Sequence, residues 1–526
     1  MEQGETQYKE IHTILSEMAE RYPKKVYIES LDQGKNINFQ QTYRLCNRIA
    51  NFLREQDIKA SDKIVLIGEN SIETLLIFFG VLNYGAAIGG INVEESKENV
   101  YRLLNLAKPR IVFYSKELSF DQERYKEASW IPYANLDVEG REENELFSIL
   151  RDYSDEFDSP AGTKDDIATL VFTSGTTAVP KAVAATREYI FYASLDVVDR
   201  FKVTERDVIL DYRAYSWASP QVLSIVPSLM TGATLVYGEK FSRSRFTSWL
   251  KDYGITICVG VPAVFNMLLE EEVPLHKKDV PSLRFMTSST APLLVKNQLR
   301  FEEKYGILIN QLAGSSETGW MAVNDPEILN QPEKRKLGSI GKAPRYKEVL
   351  IMDERGKRLG SGEEGEIVVR GKSIALGYLQ DNGEIDKFPG DGIRTGDLGY
   401  IDEDGYIYIT GRKKDLIIRG GVNISPMEIT RWLMEHPAVQ EAATIGVPDK
   451  VRGEEVASFI VPKEGEQISV EDIIDHCKKK LPDWKLPKTL YFLKEIPKTE
   501  RDKLSKPGLL KIWEEMQRKG IKGGAI

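Results

Sequence analysis

An apolar run from Ile167 to Phe172 leads straight into Thr173, Ser174, Gly175, Thr176 and Thr177, and then into Pro180 and Lys181. Residues of these types can hold phosphate. The glycine lets backbone amides approach an anion, the hydroxyls donate to phosphate oxygens, and the lysine adds a compact positive charge. The glycine spacing of the G-x-x-x-x-G-K-[ST] loop is absent, so this is a different phosphate grip. A Ser/Thr-rich turn alone is most often a solvated loop. What distinguishes this one is its place between a buried strand and a Pro-Lys pair.

Such a turn needs rigid elements around it. Short β-branched runs alternate with helical patterns through roughly the first 310 residues: KIVLI then SIETLLIFFGVL, DVILDY then QVLSIVPSLM, ITICVG then AVFNMLLEE. That order predicts α/β layers with largely parallel sheets. From Lys347 to Tyr408 the strands EVLIMD, GEIVVRG and YIYIT are separated by DERGK and DEDG turns, the texture of a small antiparallel β subdomain. Beyond GRKKD the pattern becomes α+β. The expected division is therefore 1–411, a large N-terminal domain, and 412–526, a smaller C-terminal one. The latter carries 22 Lys and Arg against 18 Asp and Glu, a net +4 in a chain of net charge -9. A basic domain of this kind suits phosphate, although a solvated basic surface reads the same way.

Composition excludes several classes. The acidic balance, with no long block of like charge, argues against nucleic acid as a partner. MEQGETQYKE lacks the basic and apolar regions of a secretory signal. The stretch LLIFFGVLNYGAAIGG from Leu75 is shorter than the roughly 20 apolar residues of a membrane span, and reads as a core helix and turn. A cytoplasmic protein without membrane insertion is expected, and scattered Cys46, Cys258 and Cys477 suit free thiols in a reducing compartment. His12, His276, His436 and His476 form no metal-ligand or nucleophile-base spacing.

The Thr173–Lys181 segment resembles the phosphate loop of the adenylate-forming superfamily, which includes acyl-CoA synthetases, peptide-synthetase adenylation domains and firefly-type luciferases. Further similar segments follow in order: LRFMTSSTAPLLVKNQLRFEEKYG, QLAGSSETG, RTGDLGYIDEDGYIYITGRKKDLIIRGGVNISPMEI and PKTERDKLSK. The resemblance spans nearly the whole chain. It implies an ATP- and Mg²⁺-dependent acid activator that forms an acyl-adenylate and passes the acyl group to coenzyme A, with a mobile C-terminal domain. It implies a nucleotide site built from Thr173, Ser174, Gly175, Thr176, Thr177, Lys181, Ser289, Thr290, Ala291, Gly314, Ser315, Asp397, Ile409 and Arg412. Catalytic roles fall to Ser316, Glu317 and Lys503. Glu317 is a hard oxygen ligand suited to Mg²⁺, with a capping or ion-paired carboxylate as the plain alternative. Asp397 can accept from both ribose hydroxyls, and Arg412 brings a planar donor fork. Lys414 matches the hinge, and Gly420 and Gly421 match the stretch lining a pantetheine tunnel.

The chain also departs from the pattern. Ala178 and Ala182 stand at usual glycines, Ala313 at a usual aromatic, and Asp502 at the glycine before Lys503. Tyr215, Ser216 and Trp217 replace a common aromatic-histidine pair. Tyr215, Trp217 and Trp320, with Met321, are expected to narrow the acid pocket in favour of a short, branched or compact acid. Arg213 adds polar reach if it faces that pocket, although an unpaired buried arginine is expensive. A stand-alone enzyme loading a carrier protein and a non-catalytic nucleotide-binding protein are the alternatives, and a monomer or homodimer is expected.

Overall fold

The computed structural model describes residues 6–134, 145–158, 160–173, 181–270, 273–498, 504–519 and 524–525. Ser174, Gly175, Thr176 and Thr177 of the phosphate segment, and Lys503 with Asp502, lie outside them.

The expected alternation of strands and helices builds two eight-stranded sheets. One runs Gly319–Val323, Ile309–Ser315, Phe285–Ser288, Ile257–Cys258, Val208–Asp211, Thr234–Tyr237, Val26–Ser30 and Lys35–Asn38, parallel except at its two edges. The other runs Ile385–Lys387, Gly377–Leu379, Lys181–Thr186, Ile167–Thr173, Ala87–Ile91, Lys63–Ile67, Ile111–Ser115 and Ser129–Tyr133. Its last five strands are parallel because each is reached by a crossover, while the hairpin of Ile167–Thr173 with Lys181–Thr186 turns the next strand antiparallel.

Helix Ile72–Tyr84 is mostly apolar and buried along its whole length, with its buried polar side chains paired, Glu73 with Lys35, Thr74 with Tyr133 and Asn83 with Asn47. It packs tightly on helix Phe39–Glu55: a Cβ on Gly80 would stand 2.6 Å from Ile49 side-chain atoms. The run then turns through Gly85, at φ 104°, into the buried strand Ala87–Ile91. The stretch read as core helix and turn thus also supplies a central strand. Among the described residues no helix is long and apolar enough to cross a membrane.

The antiparallel subdomain is a four-stranded sheet, Lys347–Met352, Gly365–Gly371, Ile393–Ile401 and Ile407–Arg412. One segment inside that region leaves it. Strand Gly377–Leu379 pairs with Lys181–Thr186 instead, carrying the small sheet's connection onto the phosphate hairpin. The smaller C-terminal α+β domain is a six-stranded sheet in which Gly453–Pro462 is central, paired with Val439–Asp449 and Thr489–Phe492. Helices Pro426–Glu435 and Val470–Lys478 bury Ile429, Leu433, Ile473 and Ile474 against it. Cys46, Cys258 and Cys477 are free and buried.

Candidate active site

Strands Ile167–Thr173 and Lys181–Thr186 pair with Thr173 opposite Lys181, so the phosphate segment connects one hairpin. Thr173 Oγ1 donates to the Lys181 carbonyl at 3.4 Å. The Lys181 side chain is exposed, with Nζ 4.5 Å from the centroid of the Tyr378 ring. The Tyr378 hydroxyl in turn donates to Glu317 Oε1 at 2.8 Å. Burial and the neighbouring carboxylate both push that hydroxyl's pKa up, so it stays a proton donor. A cation, a phenol and a carboxylate from three separate chain segments therefore form one line.

Glu317 sits in the turn between Ile309–Ser315 and Gly319–Val323, not at a helix start, which removes the capping alternative. The turn is locked from inside. Ser315 N–H donates to Thr318 Oγ1 at 3.1 Å, and Thr318 N–H donates to Ser315 Oγ at 3.2 Å. From outside, Ala375 N–H donates to the Glu317 carbonyl at 2.8 Å. Gly314 is required here, because a Cβ would lie 2.0 Å from the Gly319 carbonyl oxygen. Ser316 is half-buried in the same turn.

Strand Phe285–Ser288 runs parallel to Ile309–Ser315 and delivers Ser289, Thr290 and Ala291 at its carboxyl end. In open α/β sheets that end is where ligands bind. The Ser288 and Ser289 hydroxyls are buried there without a hydrogen-bond partner among the described residues. Thr290 has φ 80°, a left-handed conformation that strains a β-branched residue by about 1–3 kcal/mol and marks functional segments. Both features fit a nucleotide base edge. Ala313 is half-buried against the small-sheet core and takes no part in a stack.

Asp397 and Arg412 face each other across the small sheet, with Arg412 Nε donating to Asp397 Oδ1 at 2.8 Å. Arg412 reaches solvent while Asp397 is largely buried. Burial raises the Asp397 carboxyl pKa, and the Arg412 and Lys414 charges oppose the rise without cancelling it. Ile409 packs under the same sheet. Lys414 lies in the tight turn Lys413–Asp415 directly after Arg412. Gly420 and Gly421, at φ 59° and 84°, form the tip of hairpin Ile417–Arg419/Val422–Ile424, with nothing within 4 Å of where either Cβ would be. Two positive φ angles at a hairpin tip require glycine, so their type is accounted for by the turn itself.

The acid-pocket residues divide. Tyr215 is a core residue: its hydroxyl donates to the Leu66 carbonyl at 2.6 Å and its N–H to Asn70 Oδ1 at 3.0 Å. Trp217 is half-buried. Successive strand residues face opposite ways. Met321 accordingly packs into the small-sheet core, which ends its expected role in the pocket, while Trp320 packs into the main core. The Trp320 indole N–H is buried and has no partner among the described residues. Ser216 Oγ and Gln221 Oε1 share that state, and Gln221 opens the π-helical turn Gln221–Ile225 that follows Trp217. Arg213 is not available for polar reach. Its Nε and Nη2 donate to Asp211 Oδ1 and Oδ2 at 3.0 and 2.8 Å, Nη1 donates to Ser219, and Ser224 Oγ donates to Asp211.

Tyr378, at Glu317, is a residue that sequence reasoning missed. It lies in no patterned chemical motif, and only the strand pairing of Gly377–Leu379 brings it to Glu317. Among the described residues no group of three or more His, Cys, Asp or Glu side chains is placed to hold a metal ion. A single carboxylate such as Glu317 fits Mg²⁺, which takes one or two protein carboxylates and completes its shell with phosphate and water.

A model of the AMP-binding enzyme family matches residues 15–379, and one of the AMP-binding enzyme C-terminal domain matches residues 428–503. An oxalate–CoA ligase of Arabidopsis thaliana is 28% identical over 500 residues, covering 94% of this chain and 96% of the relative. A sulfoacetate–CoA ligase of Cupriavidus necator is 29% identical over 503 residues, covering 94% and 96%. Among solved structures, ATP-bound MatB from Rhodopseudomonas palustris aligns with TM-score 0.85 at 25% identity, covering 96% of this chain and 99% of that one. An anthranilate CoA ligase in complex with anthranoyl-AMP aligns with TM-score 0.83 at 25% identity, covering 98% and 99%.

Proposed function

The chain belongs to the family of AMP-binding enzymes and is an AMP-forming acyl-CoA synthetase; on that premise we propose that its acid is short, branched or otherwise compact and carries a polar group. The observation that carries this reading is the set of buried polar atoms lacking partners near the pocket segments: Trp320 Nε1, Ser216 Oγ and Gln221 Oε1. Leaving a buried donor or acceptor unmade costs about 1–3 kcal/mol, so a ligand group that satisfies one is selected over an apolar isostere. The relatives named for oxalate and sulfoacetate support a small polar acid here.

In the first step the acid carboxylate, already ionised near neutral pH, attacks the α-phosphorus of ATP and pyrophosphate departs. No general base is required. The difficulty is accumulating negative charge, which the Lys181 and Lys503 cations would offset. Glu317 would hold magnesium, with Ser316 donating to phosphate beside it, and the ion would supply positive charge against the phosphates. Ser289, Thr290 and Ala291 receive the base, Gly314, Ser315 and Ile409 line the nucleotide, and Asp397 with Arg412 holds the ribose. In the second step the thiol of CoA attacks the acyl-adenylate carbonyl and AMP leaves. A C-terminal unit beginning near residue 412 would turn about Lys414 between the steps, bringing the Gly420–Gly421 tip to the pantetheine arm. The three buried free thiols suit a reducing, cytoplasmic setting.

The test is pyrophosphate release and thioester formation with Mg·ATP and CoA over short, branched, hydroxylated, dicarboxylic, aromatic and long-chain acids. Compact polar acids are expected to give CoA-dependent turnover. Robust use of a long-chain acid would overturn the compact pocket, and pyrophosphate without a CoA thioester would point to a carrier protein or oxygen as the acceptor instead.

A further inference from the structure

Lys347 opens strand Lys347–Met352, yet its side chain turns inward and is fully buried. Its Nζ donates to the Thr318 carbonyl at 2.8 Å and to the Ser373 carbonyl at 3.0 Å, and stands 3.8 Å from Asp196 Oδ2. Asp196, from helix Arg187–Phe201, is equally buried. It accepts from Ser373 Oγ at 2.6 Å and from Tyr346 N–H at 3.0 Å. Two donors of the ammonium are thereby fixed on backbone carbonyls, and its charge is paired with Asp196.

The two carbonyls belong to the segments that define the Glu317 carboxylate. Thr318 follows Glu317 in the turn, and Ser373 lies two residues before Ala375, whose N–H holds the Glu317 carbonyl. The same segment continues into Gly377–Leu379 and so aims Tyr378 at Glu317 Oε1. The Tyr189 hydroxyl, from the Asp196 helix, lies against Gly319 in the same cluster. We propose that Lys347, with Asp196 as its buried counter-charge, is a positioning residue that sets the Glu317 carboxylate and the Tyr378 hydroxyl in register for phosphate-bound metal.

Packing alone gives no reason for this pair. Buried ion pairs are commonly no better for stability than apolar residues of similar volume, because desolvation offsets attraction. Burial here lowers the Lys347 pKa to about 8 against the opposing pull of Asp196. What an apolar substitute could not do is bind both carbonyls at once.

The proposal rests on reading Glu317 as the metal-binding carboxylate, so Glu317→Gln is the benchmark. Lys347→Met keeps the stem and removes the donors; Asp196→Asn removes the charge and keeps one acceptor oxygen, with the Ser373 hydroxyl able to reverse and accept from the new amide; Lys347→Met with Asp196→Leu makes the pair apolar. Pyrophosphate release is followed as a function of free Mg²⁺ and of acid, with melting curves alongside. Supporting residues of this kind typically change metal affinity or activity by about 10–100-fold. Lys347→Met is expected to lower kcat and raise half-saturating Mg²⁺ within that range, leaving the acid KM within about twofold, and Asp196→Asn should move the same quantities less. The double variant should melt above Lys347→Met alone, because it leaves no buried charge unpaired, while keeping the kinetic defect. If the double variant recovers both melting and rate, or if Asp196→Asn and the double variant both show wild-type Mg²⁺ dependence, Lys347 is merely structural and the proposal fails. If Glu317→Gln itself leaves Mg²⁺ dependence unchanged, the underlying reading fails instead.

Discussion

Replacing Tyr378 with Phe removes one oxygen and nothing else from the line Lys181–Tyr378–Glu317. The ring stays, so the contact with Lys181 Nζ at 4.5 Å is retained, and only the 2.8 Å hydrogen bond to Glu317 Oε1 is lost. A hydrogen bond to a charged group contributes about 1.5–3 kcal/mol. Glu317 is half-buried, so water can replace part of it, and the loss should be about 1–2 kcal/mol. Expressed in the transition state, that is about a 5- to 30-fold fall in kcat/KM. The assay is the initial rate of pyrophosphate release at saturating acid while Mg²⁺ is titrated against fixed ATP. The loss should be largest at low Mg²⁺, where a misoriented carboxylate is least compensated. A Tyr378→Phe enzyme within twofold of wild type at every Mg²⁺ concentration would refute the idea that the phenol orients Glu317.

Lys503→Ala should lower acid-dependent pyrophosphate release by about 10²–10³, the usual effect of losing a preorganised charge contact, and a smaller loss removes Lys503 from the first step. Arg412→Gln removes a charge that holds the Asp397 carboxyl down against burial; since ATP use needs the carboxylate, the acid limb of kcat/KM for ATP should move to higher pH, and an unmoved limb would separate Asp397 from ATP. Asp211→Ala strands the buried Arg213 guanidinium and should destabilise the large domain by about 3–5 kcal/mol in urea unfolding without altering acid preference; altered preference at unchanged stability would return Arg213 to the pocket. Trp320→Phe removes the unpartnered indole N–H together with part of the ring and should raise KM for polar acids about 2- to 10-fold more than for apolar acids of equal size, the difference expected for a neutral hydrogen bond.

Layer architecture was legible because it follows from short-range pattern. The apolar helix Ile72–Tyr84 and the turn-separated strands of the small sheet carry their assignment in their own residues. The Asp211–Arg213 pair is equally local, two residues apart, yet from sequence Arg213 reads as polar reach toward the pocket, with no partner named for it. Tyr378 and Lys347 were not legible. Each acquires its role from a partner distant in sequence, Glu317 for one and Asp196 for the other, and no residue-type pattern encodes those meetings. Met321 and Trp320 illustrate the intermediate case. Both were assigned to one pocket, whereas strand alternation sends neighbours to opposite faces and only the fold says which face is which. The left-handed Thr290 and the π-helical turn at Gln221 are backbone features that side-chain identity does not announce.

The central claim is that the acid carboxylate attacks the α-phosphorus of ATP. Turnover of an accepted acid labelled with ¹⁸O in its carboxylate, with mass analysis of every phosphorus product, tests it directly. One labelled oxygen in AMP and none in pyrophosphate is the predicted result. Label in inorganic phosphate accompanied by ADP would show attack at the γ-phosphorus and contradict the account.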